Sequence, residues 1–388
     1  MSIGGSFRFL PIPTEIQFGC GILSTLPERI RGLGCKKALV VTDPGMRAAG
    51  AVARVETLLS AAGIGFAVYD SVTPDSGSGL IGEAAALLKE TGADVVIGLG
   101  GGSALDTSKA VAAMATNPGA ILDYTGLDKL IHKPLPVVAI PTASGTGSEV
   151  TFWSVFIDDR TNLKVAAGGV LLFPTIALCD PELTLTLPPS ATAATGMDAL
   201  GHAVECYTNT ACQPISAALA LKAIELIGQH LRTAVLNGKD LESRYGMMLA
   251  STMAGIAMNS TRLGLAHALA MPLGSYTIRI PHGLAIAITL PVVMKFNHAS
   301  RFERYAEVAR ALGEHVHRLP LRDAATCSFA AVNKLSADIG IPARLSDVGL
   351  REEHINDVAA EAIKSGNVAV NPRRTTVEDL RAILRDAL

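Results

Sequence analysis

Two hydrophobic rhythms divide this 388-residue chain near position 187. In the first half, short runs of consecutive apolar residues alternate with stretches where apolar positions recur every three or four residues. "KKALVVTD" (36–43) is a Val-rich run bounded by charge, which predicts a strand buried on both faces. "GFAVYD" (65–70), "ADVVIGLG" (93–100) and "LPVVAIPT" (135–142) predict three more. Helical periodicity lies between them, through "RVETLLSAAG", around 79–91, and from Ser103 to about Thr116. Strands alternating with helices of this length form βαβ units and a parallel sheet. The early segment "FRFLPIPTEIQFG" predicts an additional short hairpin.

The alternation stops at "DPELTLTLPPS" (180–190), where prolines punctuate the chain. Beyond it the pattern is helical over 190–206, 214–235, 241–260, 283–296, 302–312, 322–338 and 376–387. The expected organisation is therefore an α/β domain with a parallel sheet over 1–187, followed by an all-α domain over 188–388.

Composition narrows the function classes. A net charge of −2 and a pI near 6.5 give no electrostatic case for nucleic acid or an anionic membrane surface. No stretch approaches ~18 uninterrupted apolar residues, so no membrane span is expected. The opening residues lack a basic region followed by a long apolar one, so no secretory signal is expected. Six cysteines (20, 35, 179, 206, 212 and 327) without CxxC spacing fit reduced thiols in a cytoplasm. Cys206 follows His202 by one helical turn, and reads either as a site residue or as a small buried hydrophobe.

The chemistry concentrates in a few loops and helices. "GLGGGSALDTSKA" (98–110) joins a predicted strand to a predicted helix. Its glycines let backbone approach a ligand, and the N–H groups of Gly101, Gly102 and Ser103 open the helix at its positive end, which suits a phosphate. A tight turn that binds nothing is the alternative. "IPTASGTGSEVT" (140–151) is a second, donor-rich loop at the carboxyl end of a strand, where open α/β sheets bind ligands. Asp43 ends the strand "ALVVTD"; its carboxylate would accept from an adenosine ribose and repel a 2′-phosphate, or simply start a turn before Pro44.

In "GMDALGHAVECY" (196–207), Asp198 and His202 are four residues apart, so a helix stacks them on one face. His267 in "LGLAHALAMPLG" and His282 in "IRIPHGLAIAI" are also embedded in apolar sequence. One such histidine is an ordinary core residue. Three of them with a carboxylate form an N/O donor set suited to a divalent first-row ion, iron(II) or zinc.

These segments, in this order and with the tail "VNPRRTTVEDL", resemble the iron-containing (group III) alcohol dehydrogenases, the family that includes lactaldehyde reductase. The resemblance implies an N-terminal dinucleotide-binding domain and a C-terminal metal-binding, catalytic domain. It implies Asp198, His202, His267 and His282 as ligands of Fe2+, with Zn2+ as the other candidate. It further implies NAD, contacted by Gly101, Gly102, Ser103, Asp106, Thr142 and Lys164, with Asp43 at the ribose. The implied reaction is hydride transfer between NAD(H) and a primary alcohol or aldehyde across a cleft between domains, in a cytoplasmic homodimer or larger homo-oligomer.

Three departures stand out. Met271 occupies a position where many relatives have a second histidine, four residues after His267. The segment between His267 and His282 is one residue long for the family and contains Arg279. The usual Pro-Asn-Pro after the strand at 65–70 is reduced to "TPDSG" (73–77). Close alternatives are maleylacetate reductase and hydroxyacid–oxoacid transhydrogenase, which handle carboxylates. Separately, losing an imidazole at Met271 and gaining the Arg279 guanidinium points to an anionic aldehyde, held through carboxylate or phosphonate oxygens. Against it stands a solvated loop residue. More distant readings are a dehydroquinate synthase-like or glycerol dehydrogenase-like enzyme, and a non-enzymatic binding protein.

Overall fold

The computed structural model describes residues 6–275 and 278–388, and divides them into two compact units. One is Ile12–Leu187; the other is Pro188–Leu388 together with the first described residues up to Pro11. Within the latter, the Leu10 N–H donates to Ser260 Oγ at 2.8 Å.

The apolar runs of the first unit become the strands β1 (Glu15–Phe18), β2 (Lys37–Val41), β3 (Gly65–Tyr69), β4 (Val95–Gly100), β5 (Gly126–Leu127), β6 (Val137–Pro141), β7 (Trp153–Asp158), β8 (Leu163–Gly168) and β9 (Ile176–Cys179). Six of them form a wholly parallel sheet in the order β1-β9-β6-β4-β2-β3. The reason for the unbroken apolar runs is visible in β2. Leu39 and Val41 pack into one buried cluster, while Ala38 and Val40 pack into another. Helices cover both faces, so successive side chains all need to be apolar.

From β2 the chain moves outward to β3, then returns to place β4 on the other side of β2. That reversal is a switch point, and the crevice outside the carboxyl ends of β2 and β4 is where such sheets bind ligands. Asp43 follows β2 and the glycine loop follows β4.

Two expectations need correction. The N-terminal segment is no hairpin. Only Glu15–Phe18 is a strand, and it pairs in parallel with β9, because Pro11 and Pro13 deprive the preceding residues of ladder donors. A true hairpin was missed at 153–168, where β7 and β8 pair antiparallel and join the short β5 in a second sheet. Their alternation is masked by "TFWSVF" and by small residues in "KVAAGG".

The second unit is helical. Pro189–Thr208, Pro214–Leu236 and Leu241–Thr261 are long helices packed into one apolar cluster, and His282–Asn297 runs among them. Every residue from Gly196 to Thr208 is buried. A helix so enclosed must be lined with small residues. A Cβ on Gly201 would fall 2.5 Å from Ile286 Cγ2, and one on Gly283 would strike the Ala194 carbonyl. The helices Leu265–Leu273 and Ile355–Ala362 were not foreseen. The first has only nine residues, too few for a periodic signal. In the tail motif, Asn371 is buried and exchanges two hydrogen bonds with Asn297, at 2.8 and 2.9 Å, which fastens the C-terminal segment to the His282 helix.

Candidate functional site

Side chains from three helices converge on one carboxylate oxygen. Asp198 and His202 project from one face of Pro189–Thr208, His267 lies in Leu265–Leu273, and His282 is the first residue of His282–Asn297. The Nε2 atoms of His202, His267 and His282 lie 3.9, 3.5 and 3.7 Å from Asp198 Oδ1. Donor atoms of Asp198, His267 and His282 all fall within 4.8 Å of one another, and the His202 ring stacks on His267 with centroids 4.4 Å apart.

These residues fit a metal ion. Two ligands bonded to one ion at about 2.1 Å stand about 3–4 Å apart, which matches the separations here. Asp198 Oδ1 and His267 Nε2 are buried yet make no hydrogen bond. Buried polar atoms left in that state are costly unless something else satisfies them. Access is one-sided: the His282 side chain is 27% exposed, while those of Asp198, His202 and His267 are at most 6% exposed.

The charges agree. Burial opposes ionisation of Asp198, but the imidazoles of His202, His267 and His282 outweigh it and hold the carboxyl well below the ordinary range. Burial also disfavours a charged His267, yet the Glu205 and Asp198 carboxylates raise its pKa to about 9. The site is built to hold positive charge, and protons compete for it with a metal.

Glu205 escaped the sequence reading. It is 4% exposed, and its Oε2 lies 2.6 Å from His267 Nδ1. The same carboxylate accepts from the Gly264 N–H at 2.8 Å and the Ala266 N–H at 2.7 Å. The signal was present: an acid in the middle of an apolar helix, one turn after His202, must be paired if buried. Cys206 beside it is a buried hydrophobe whose thiol donates to the Arg262 carbonyl at 3.6 Å; burial pushes its pKa up.

In the first unit, Asp43 caps the short helix Pro44–Ala48 through Oδ1, which accepts from the Met46 N–H at 3.1 Å. Its Oδ2 stands beside the glycine loop, 3.1 Å from where a Gly100 Cβ would be. Gly100 has φ +148°, a conformation nearly closed to other residues. Gly101 caps the helix Gly102–Met114 without any side chain, which leaves first-turn N–H groups available, and a Cβ on Gly101 would meet nothing within 4 Å. A Cβ on Gly102 would lie 2.6 Å from Thr146 Cγ2, so the two loops touch. The Thr142 N–H donates to the Gly100 carbonyl at 3.0 Å.

Asp43, Gly101, Gly102, Ser103 and Thr142 thus gather at the carboxyl ends of β2, β4 and β6. Asp106 is engaged inside the protein. Its Oδ1 meets Ser148 Oγ at 2.5 Å and Lys109 Nζ at 2.9 Å, and its Oδ2 accepts from the Val155 N–H at 2.9 Å. Lys109, also unforeseen, is 1% exposed and donates to Ser148 Oγ at 2.7 Å and to the Trp153 carbonyl. Lys164, whose side chain is almost wholly buried, pairs with Asp75 at 2.7 Å, and the Asp75 N–H donates to Ser103 Oγ at 3.2 Å. The "TPDSG" departure therefore supplies the partner of Lys164.

Met271 is half-buried one turn after His267 on the same helix. Arg279 is exposed, with φ +59°, and its N–H donates to the Ser275 carbonyl at 2.7 Å. Two neighbouring positions of this longer segment, 276 and 277, lie outside the described residues.

Comparison with known proteins reaches both units. The family described as "Iron-containing alcohol dehydrogenase" matches residues 13–181, and "Fe-containing alcohol dehydrogenase family, C-terminal" matches residues 192–388. The chain is 39% identical to the 1,3-propanediol dehydrogenase of Klebsiella pneumoniae, over 97% of each protein. It is 36% identical to the NAD-dependent methanol dehydrogenase of Bacillus methanolicus, over 97% of this chain and 99% of that one. A crystal structure of a 1,3-propanediol oxidoreductase superposes with a TM-score of 0.96 at 38% identity, covering 99% of this chain and all of the other.

Proposed function

The chain belongs to the iron-containing alcohol dehydrogenases, and from that premise we propose that it transfers a hydride between NAD(H) and a primary alcohol or its aldehyde. One observation carries the reading: three imidazoles converge on a buried carboxylate at 3.5–3.9 Å within the helical unit. When bound, a divalent ion there lowers the pKa of an alcohol hydroxyl or polarises an aldehyde carbonyl, and the nicotinamide gives or accepts the hydride.

The chain's own residues do the rest. Asp198, His202, His267 and His282 hold the ion, which is iron(II) in this reading and zinc in the alternative. The partial exposure of His282 leaves the side by which a small alcohol enters. In the first unit, first-turn N–H groups at Gly101, Gly102 and Ser103 receive the pyrophosphate, with Thr142 beside them. Asp43 Oδ2 accepts from the adenosine ribose. Lys164 and Asp106 support the loops through Asp75, Ser148 and Val155.

A carboxylate-bearing substrate is not favoured. The two curated relatives above are named for a neutral diol and methanol, and Arg279 is exposed. Cytoplasmic residence fits six free cysteines, and assembly as a homodimer or larger homo-oligomer completes the reading. Among the described residues no helix is long and apolar enough to cross a membrane.

The test is NAD reduction by metal-reconstituted protein across short alcohols, diols and hydroxyacids. Short primary alcohols or diols should be oxidised. Failure with every alcohol would remove the reading, and a strong preference for hydroxyacids would restore the carboxylate alternative.

A further inference from the structure

The metal-site reading accounts for four side chains and leaves Glu205, a buried carboxylate, without a function. Its surroundings are over-determined. The chain leaves the helix Leu241–Thr261 through Arg262, held at φ +61°, and turns into the His267 helix within three residues. Two residues one turn apart, Glu205 in the last turn of the Asp198 helix and Asn209 just past its end, clamp that turn. Asn209 Nδ2 donates to the carbonyls of Thr261, Arg262 and Leu263 at 3.1, 3.2 and 3.3 Å. Glu205 takes the N–H groups beyond them, at Gly264 and Ala266, and also touches the His267 ring. Gly264 makes this approach feasible, since a Cβ there would stand 2.8 Å from Glu205 Oε1.

Resting on the metal-site reading, we infer that Glu205 is a positioning residue for the ion. By accepting from Nδ1–H of His267, it fixes the tautomer whose Nε2 lone pair faces Asp198 and the other two imidazoles. An imidazole with its proton on Nε2 cannot ligate through that atom, and the hydrogen bond at Nδ1 sets which of the two forms is present. A carboxylate can only accept there. It also makes the imidazole a stronger donor to the ion, as carboxylate partners of metal-bound histidines generally do. A glutamine in its place could turn its amide N–H toward Nδ1 and stabilise the wrong tautomer.

Asn209 separates this role from mere support of the turn, because it holds the same turn without touching the ring. The experiment is Co2+ titration of metal-free protein, with affinity from chelator competition and geometry from the cobalt d–d spectrum. Circular dichroism first checks that each metal-free variant is folded. Wild-type protein should bind one Co2+; if it binds none, the metal-site reading itself fails and this inference with it. Glu205→Gln should bind Co2+ about 10–100-fold more weakly with an altered d–d band, while Asn209→Ala should stay within about threefold of wild type. Wild-type affinity in Glu205→Gln, or an equal loss in Asn209→Ala, would overturn the proposal and leave the metal site standing. If Glu205→Gln does not fold, Gly264→Ala decides. Its Cβ pushes the carboxylate off the ring without removing it, and should weaken Co2+ at least about tenfold. Unchanged affinity in that variant would also overturn the role.

Discussion

The candidate sites of the two units are built from opposite materials. In the first unit the proposed cofactor surface is mostly backbone: glycines and first-turn N–H groups at the ends of parallel strands, held from behind by Lys109, Asp106 and Lys164. In the second unit it is side chain, with four donors delivered by three helices, the first of them distant in sequence from the other two. A backbone site depends on where side chains are missing. A side-chain site depends on which are present and how each is aimed. Substitutions should therefore damage the two in different ways, and that difference can be measured.

The harshest contrast comes from the metal side. His267→Ala removes a buried donor and leaves Glu205 facing an empty space. Activity should fall by about a thousandfold or more, corresponding to several kcal/mol of lost electrostatic stabilisation. Bound metal, measured by elemental analysis, should fall with it, while circular dichroism stays helical. Near wild-type turnover with full metal content would make His267 an ordinary core histidine and dissolve the comparison.

The same contrast explains what could be read from sequence. The sheet was legible because β2, β4 and β6 are buried on both faces, which forces unbroken apolar runs. The glycines at 100–102 marked the strand-to-helix turn after β4, where the backbone lies bare of side chains. The histidines were legible because a polar ring in apolar sequence needs a partner. Glu205 and Lys109 stayed hidden for the converse reason. Each serves a partner distant in sequence, His267 for one and the loop around Ser148 for the other, and no local spacing reveals such a pairing. β1 was misread for a similar reason, since its partner β9 lies some 160 residues on.

Asp43 is the exception in the backbone site, a side chain that should carry selectivity. With Oδ2 beside Gly100, it would repel a 2′-phosphate and favour NAD over NADP. Asp43→Gly should narrow that preference by about thirtyfold, or about 2 kcal/mol, chiefly through KM. Glycine is a tolerable N-cap, so the helix Pro44–Ala48 should lose only a few tenths of a kcal/mol. Wild-type enzyme that uses NADP as well as NAD would remove Asp43 from the ribose.

Within the glycine loop, Gly101 gives a cleaner test than Gly102. A methyl group on Gly102 collides with Thr146, so any loss there mixes folding with binding. A methyl group on Gly101 meets no protein atom and keeps an ordinary φ of −76°. Gly101→Ala should leave the melting temperature within a degree or two and weaken NAD about tenfold, read by calorimetry. Unchanged affinity would place the pyrophosphate elsewhere.

The smallest expected effect concerns Met271, which puts a thioether where an ionisable side chain would add a proton carrier. The residue lies one turn from His267, on the same helix face, and a thioether neither takes up nor releases a proton near neutral pH. Met271→His adds a group with an ordinary pKa of about 6.5 at that place. Alcohol oxidation releases a proton, so the variant should gain rate as pH rises through that range and the ring becomes a base. Aldehyde reduction consumes one, so its rate should fall over the same range as the ring stops being an acid. Plateau rates should change by less than about threefold, because Met271 holds no ion and no cofactor in this reading. Superimposable pH profiles for variant and wild type, in both directions, would show that position 271 faces away from the reacting atoms. Protons would then exchange where His282 is open to solvent, and the site of the second unit would rest on its four metal-facing side chains and Glu205 alone.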